Sequence, residues 1–117
     1  MTLDPTITNA DHYKVVFEND RVRVLEYTDE PGDKTTPHQH PDSVLVTLST
    51  FDRRMYSMDE EPHDIHLTTG KVGWLSAQQH YAQNIGQTDT HVIFVELKEG
   101  AHAAGEAVGP IGPAVSR

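Results

Sequence analysis

His38 and His40, one residue apart in "PHQHPDSVLV" (37–46), stand directly before an apolar run. In an extended chain alternate side chains share a face, so the two imidazoles point the same way, and the same parity carries Val44, Val46 and Leu48. A buried polar group left without a partner costs roughly 1–3 kcal/mol, so two imidazoles at the head of an apolar face call for something to satisfy them. A divalent metal ion fits that need. In "GKVGWLSAQQHYAQN" (70–84), His80, Ala82 and Asn84 share a face in the same manner. Strands in register inside a barrel would bring the three imidazoles together. Three neutral nitrogens with open coordination positions suit Fe, Ni, Zn, Mn or Cu. Asp42 has the parity to supply a fourth ligand or to orient a histidine, or it is an exposed turn residue after Pro41.

The other histidines offer less. His63 and His66 fall on opposite faces of "HDIHL", and His12, His91 and His102 have no partner at ligand spacing. Val44, Val46, Trp74, Asn84 and Phe94 read as the lining of a dry substrate pocket. Arg23, in an amphipathic strand, reads as solvent-facing.

The elements that must position these residues are short strands. Runs at 13–18, 22–27, 43–49, 53–58, 63–68, 71–76, 80–85 and 91–98 have strand character, and "ENDR", "DEPGDK", "TTG" and "IGQTDT" supply turn residues between them. No window sustains a 3.6-residue apolar period for three turns, which argues against a long helix. Many short strands at even spacing predict an all-β chain, a small antiparallel barrel or sandwich. The expected division is a single barrel domain over 12–98 and a flexible Gly/Ala/Pro-rich tail over 99–117.

The 117 residues suffice for one domain, and a formal charge of -9 with no strong basic patch argues against nucleic acid and anionic membranes as partners. Without cysteine the chain has no disulfide framework, Cys-ligated zinc or cysteine nucleophile. There is no Gly-x-Ser-x-Gly elbow, phosphate-cradling glycine loop or dinucleotide fingerprint. With no signal-like or membrane-spanning run, the expectation is a soluble cytoplasmic protein acting on a small molecule.

These residues resemble the cupin superfamily, in particular its small single-domain bacterial members. Gly32, His38 and His40 in "GDKTTPHQH" match the front half of its first motif, and Gly70, His80 and Asn84 resemble its second. The resemblance covers about residues 13–98 and implies a jelly-roll β-barrel. The glutamate of the first motif would fall at 44 or 45, where this chain has Val44 and Leu45, and Ser76 and Gln78 replace the proline and second glycine of the second motif. Three neutral ligands would leave a divalent ion its full charge and favour an anionic, chelating substrate. Cupins with three histidines resemble diketone- and thiol-cleaving dioxygenases, so the resemblance implies a dioxygenase-like metalloenzyme. A zinc-type hydrolytic role is open, and the alternative class is a non-catalytic sensor or carrier binding a metal or small metabolite. The edge strand near 13–18 is available to pair with a second subunit, giving an expected homodimer.

Overall fold

The computed structural model describes residues 2–58 and 60–98. The tail expected at 99–117 lies outside the described residues. Helix α1 (Pro5–Thr8) precedes nine strands: β1 (Tyr13–Glu18), β2 (Val22–Asp29), β3 (His38–His40), β4 (Ser43–Thr47), β5 (Phe51–Ser57), β6 (Glu60–Leu67), β7 (Val72–Leu75), β8 (Gln78–Asn84) and β9 (Thr90–Leu97). They form two sheets, a five-stranded one in the order β1-β2-β9-β4-β7 and a four-stranded one in the order β3-β8-β5-β6. All pairings between strands are antiparallel. The inner faces of the two sheets enclose the core, in which Tyr13, Leu25, Tyr27, Phe51, Val92 and Phe94 form one buried cluster. This is the expected all-β jelly roll.

Alternation along each strand fixes which side chains enter. In β9, Thr90, Val92, Phe94 and Glu96 are buried while His91, Ile93 and Val95 are less so, the pattern of a strand with one covered face. Gly32 and Gly70 have φ of 91° and 87°, a region that side-chain-bearing residues rarely adopt. Each therefore marks a turn that another residue would strain. The residues before β1 are also tied down. The Asp4 carboxylate caps α1 by accepting from the Thr6 amide, the Leu3 carbonyl accepts from the Gln39 amide in β3, and the Asn9 side-chain oxygen accepts from the Thr36 amide. Among the described residues no helix is long and apolar enough to cross a membrane.

One sequence expectation is overturned by topology. The stretch 37–46 is not one strand, because β3 lies in the four-stranded sheet and β4 in the five-stranded sheet. The chain crosses between sheets at Pro41 and Asp42, where the Ser43 hydroxyl donates to the Pro41 carbonyl. The crossing resets the parity. Ser43 and Thr47 are buried, and Leu45 packs against the core. Val44, Val46 and Leu48 consequently face outward, opposite to the expectation.

The outer face of the five-stranded sheet is apolar across its full width. Register places Phe17, Val24, Val95, Val44 and Trp74 in one row, one from each strand. Phe17 and Trp74 at its ends are both exposed.

The corrected parity predicts opposite responses at adjacent positions. Leu45→Glu drives a carboxylate into the apolar interior and is expected to cost about 2 kcal/mol or more, whereas Val44→Glu on the outer face costs under about 1 kcal/mol. Urea denaturation of both variants at submicromolar protein concentration checks this; equal costs would contradict the parity.

Candidate metal centre

Cross-strand register builds the site. In the β3–β8 pair His38 lies directly opposite His80, and Gln39 and His40 face Gln79 and Gln78. His40 follows His38 by one strand repeat and so joins the same inner face. His38, His40 and His80 are 1%, 0% and 6% exposed, and one ring nitrogen from each lies within 4.8 Å of the others. The rings meet edge to face, with centroids 4.8, 5.0 and 5.1 Å apart, and His40 stacks on Phe94 at 4.6 Å.

Hydrogen bonding fixes the tautomers. His38 Nδ1 is 2.7 Å from the Thr36 carbonyl, which can only accept, so that nitrogen carries the proton. His40 Nδ1 faces the Glu96 carboxylate at 3.0 Å. His80 Nδ1 is 2.8 Å from the side-chain oxygen of Gln78, whose amide is oriented by donation to the Ser76 carbonyl. With every Nδ1–H committed outward, Nε2 is the nitrogen that each ring turns to the centre, and it is an open lone pair whenever the ring is neutral. The Tyr13 hydroxyl lies 3.2 Å from Nε2 of both His38 and His40. A hydroxyl has one hydrogen and can satisfy only one of those lone pairs. Three converging Nε2 atoms, each ring held by a partner on its other nitrogen, form the donor set of an imidazole-ligated transition metal.

Burial pushes His38 down to about 4, outweighing the opposing hydrogen bond to Thr36, and repulsion from His40 acts in the same direction as burial. Burial, with repulsion from His40 and His38, pushes His80 down to about 3. Both rings are therefore neutral at pH 7 and ready to act as ligands.

Behind the rings lies a chain of ionic contacts that sequence reasoning missed. Glu96 accepts from His40 through one oxygen and from Arg23 Nε at 2.9 Å through the other. Arg23 also grips Asp4 with both terminal nitrogens. Arg23 thus points to the back of the site and not to solvent. Burial pulls the Asp4 carboxyl upward, but hydrogen bonds from Arg23 and Thr6 hold it at about 2. The detectable signal for Glu96 was its parity with Val92 and Phe94, a carboxylate on the covered face of an apolar strand.

The expected pocket is only partly realised. Phe94 lines the cavity. Val44 and Val46 lie on the outer face, and Trp74 is 57% exposed beside Val44; Leu45 instead lines the cavity. Asn84 is buried, but it ties a turn, donating to Thr88 and Asp29 and accepting from the Gly86 amide. Asp42 is exposed and accepts from the Ala77 amide at 2.8 Å, so it fixes the β7–β8 turn and stays out of the histidine cluster. His63 and His66 are both exposed.

The cavity has a volume of about 560 Å³, its open mouth included. Leu45, Phe51, Leu67 and Val92 give it apolar walls, with His38, His80 and Tyr13 on one part and Arg53 on another. Arg53 binds Asp29, Thr90 and Tyr27. Burial raises the Asp29 carboxyl, but the Arg53 charge and hydrogen bonds from Tyr27, Arg53 and Asn84 bring it below its ordinary value. The Arg53–Asp29 pair is therefore ionised and internally balanced.

No protein-family model and no curated protein sequence matches the chain. Solved structures do. A cupin domain from Bordetella pertussis Tohama I is 27% identical with a TM-score of 0.67, over 74% of this chain and 91% of that one. A double-stranded β-helix domain protein from Klebsiella pneumoniae is 22% identical (TM-score 0.60, covering 77% and 78%). An RmlC-like cupin from Methanocaldococcus jannaschii is 15% identical (TM-score 0.59, covering 73% and 77%). The chain has the cupin fold, a double-stranded β-helix, and carries a three-histidine cluster inside it.

A pH dependence follows for the metal-free protein. The folded values of His38 and His80 lie below the ordinary 6.5, so on acidification the unfolded chain takes up protons first. Their contribution to stability is complete above about 6.5 and is lost as pH falls toward 4 and then 3. Asp4, held at about 2, acts lower, its contribution being lost below about 3.8. The urea midpoint should be flat above pH 7 and fall between pH 6.5 and 4. A His38→Gln/His80→Gln double variant should flatten that fall.

Proposed function

We propose that the protein is a metal-binding cupin in which His38, His40 and His80 hold one divalent transition ion, Fe, Ni, Zn, Mn or Cu, and that it acts as a dioxygenase-like enzyme on a small anionic chelating molecule. The observation that carries this reading is the convergence of three buried imidazoles whose opposite nitrogens are all held by acceptors. An ion held there supplies Lewis acidity and open positions for a chelating ligand. The chain supplies the rest. Glu96 orients His40, Gln78 orients His80 and the Thr36 carbonyl orients His38. The apolar walls exclude water, which strengthens electrostatic attraction inside. Because the Arg53 and Arg23 guanidiniums are both engaged by carboxylates, the ion is the positive charge left for the substrate to meet, which favours a carboxylate, enolate or thiolate.

A binding role without turnover is the second reading. It is favoured by the engagement of both buried carboxylates, Asp29 and Glu96, in ion pairs, which commits them away from acid–base work. Oxygen uptake with small 1,3-diketones and thiols, abolished by His80→Ala, supports the enzyme; tight binding without turnover supports the carrier.

We also propose a homodimer through the outer face of the five-stranded sheet. Strands ~4.8 Å apart and up to eight residues long give that face a flat area on the order of 600 Å², near the ~800 Å² each partner contributes to a standard interface. The row from Phe17 to Trp74 supplies its apolar centre. Trp74→Glu should convert dimer to monomer in sedimentation without unfolding the chain; a parent that is monomeric at tens of micromolar would contradict the proposal.

For the metal, untagged protein should carry about one ion per chain. Ala at His38, His40 or His80 should weaken binding at least about 100-fold, and Glu96→Gln about tenfold, since it disturbs orientation only. His63→Ala should have no effect. Metal analysis and competition titration check each value, and undiminished binding by His80→Ala would overturn the assignment.

A further inference from the structure

Tyr13 belongs to neither motif, yet its hydroxyl enters the histidine cluster. It opens β1, in the other sheet from the histidines, and its ring is clamped between Tyr27 and Phe94 with centroids 4.6 and 5.7 Å away. The clamp delivers its hydroxyl to the point that two Nε2 atoms face, 3.2 Å from each. As a hydrogen-bond arrangement this is complete only when one of the two rings carries a proton on Nε2 as well as on Nδ1. For neutral rings His38 and His40 both present lone pairs, so one of the two contacts sets acceptor against acceptor.

The spacing also fits a shared ion. Two ligand atoms on one metal, with bonds of about 2.0–2.1 Å, stand ~2.9 Å apart at a right angle and ~3.4 Å apart at the tetrahedral angle. The observed 3.2 Å lies between them for both histidines. We infer that Tyr13 Oη is a fourth protein ligand of the ion held by His38, His40 and His80, giving a three-histidine, one-tyrosine site. The inference rests on the three-histidine reading and adds to it an anionic ligand from an unexpected strand.

Tyr13 then does electrostatically what the absent carboxylate would do. The cavity wall at the expected carboxylate positions is Leu45, which has no donor atom. In the metal-free protein burial keeps the phenol protonated. On loading, the phenol O–H bond breaks, the oxygen–metal bond forms and the proton passes to solvent, with no change of oxidation state. One unit of the ion's charge is neutralised, and the site acquires a preference for harder, more oxidised metals, ferric iron above all.

Ferric iron also provides the test, because a phenolate bound to it produces a visible charge-transfer band and resonance-enhanced phenolate vibrations. Full-length untagged protein is loaded with iron(III) supplied as its nitrilotriacetate complex. The expected result is one bound iron per chain with a visible band. Tyr13→Phe should still bind iron through the histidines, at least tenfold more weakly and without the band. If Tyr13→Phe does not fold, Raman spectra of the parent decide alone, and absence of phenolate modes overturns the inference. A parent that binds iron through the histidines, shown by loss in His38→Ala, yet has no band, overturns the Tyr13 ligand and leaves the three-histidine site standing. A parent that binds no iron and no divalent metal overturns both.

Discussion

The antiparallel register between β3 and β8 is the constraint on which the site depends. β3 has only three residues, and two of them are His38 and His40, so there is no spare length over which the pairing could slip and still bring imidazoles together. A shift of one residue would turn His38 and His40 away from the face that His80 occupies. The register is held from several sides. The Leu3 carbonyl binds β3 at Gln39, the Lys34–Gln83 bridge extends the pairing before it, and the Thr35 side chain and backbone bind Ala82 two residues beyond His80.

Burial of charge around this register follows one rule, that every buried carboxylate has a cationic partner. Asp29 is paired with Arg53 and Glu96 with Arg23. Such pairs add little net stability, since desolvation offsets much of the attraction, but removing one partner is costly. Their value here lies in orientation. Glu96 sits between a guanidinium and an imidazole, so the direction of the His40 lone pair is linked through Arg23 to Asp4 at the cap of α1. The short N-terminal helix thereby contributes to the geometry of a centre it does not touch.

The fold itself is shared by proteins of many activities, and likeness of architecture carries no activity with it. In this chain the cavity wall carries the His38 and His80 imidazoles and the Tyr13 phenol on one part, Arg53 paired with Asp29 on another, and aliphatic and aromatic side chains between. A cavity of that composition gives its electrostatic preference to whatever ion the imidazoles hold. The outer surface is built on a different principle, with an apolar stripe crossing five strands of a strongly acidic protein, where a docked second copy would bury hydrocarbon without opposing like charges at its centre.

The sequence by itself determined the all-β class, eight of the nine described strands near their observed bounds, the turns at Gly32 and Gly70 and the three histidines, because these depend on side-chain period and local backbone preference. Only the tertiary structure decided which sheet each strand joins. Parity transmitted along "PHQHPDSVLV" placed Val44 and Val46 inside, but a jelly roll exchanges sheets at Pro41–Asp42, and inward residues become Ser43, Leu45 and Thr47. Tyr13 and Arg23 were illegible as members of the site, since each reaches it from a strand remote in sequence through side-chain contacts that no local pattern encodes, and Glu96 was legible only as a carboxylate on a covered face. Periodicity reports which face of a strand is covered; what lies across from that face is set by the packing of one sheet on the other.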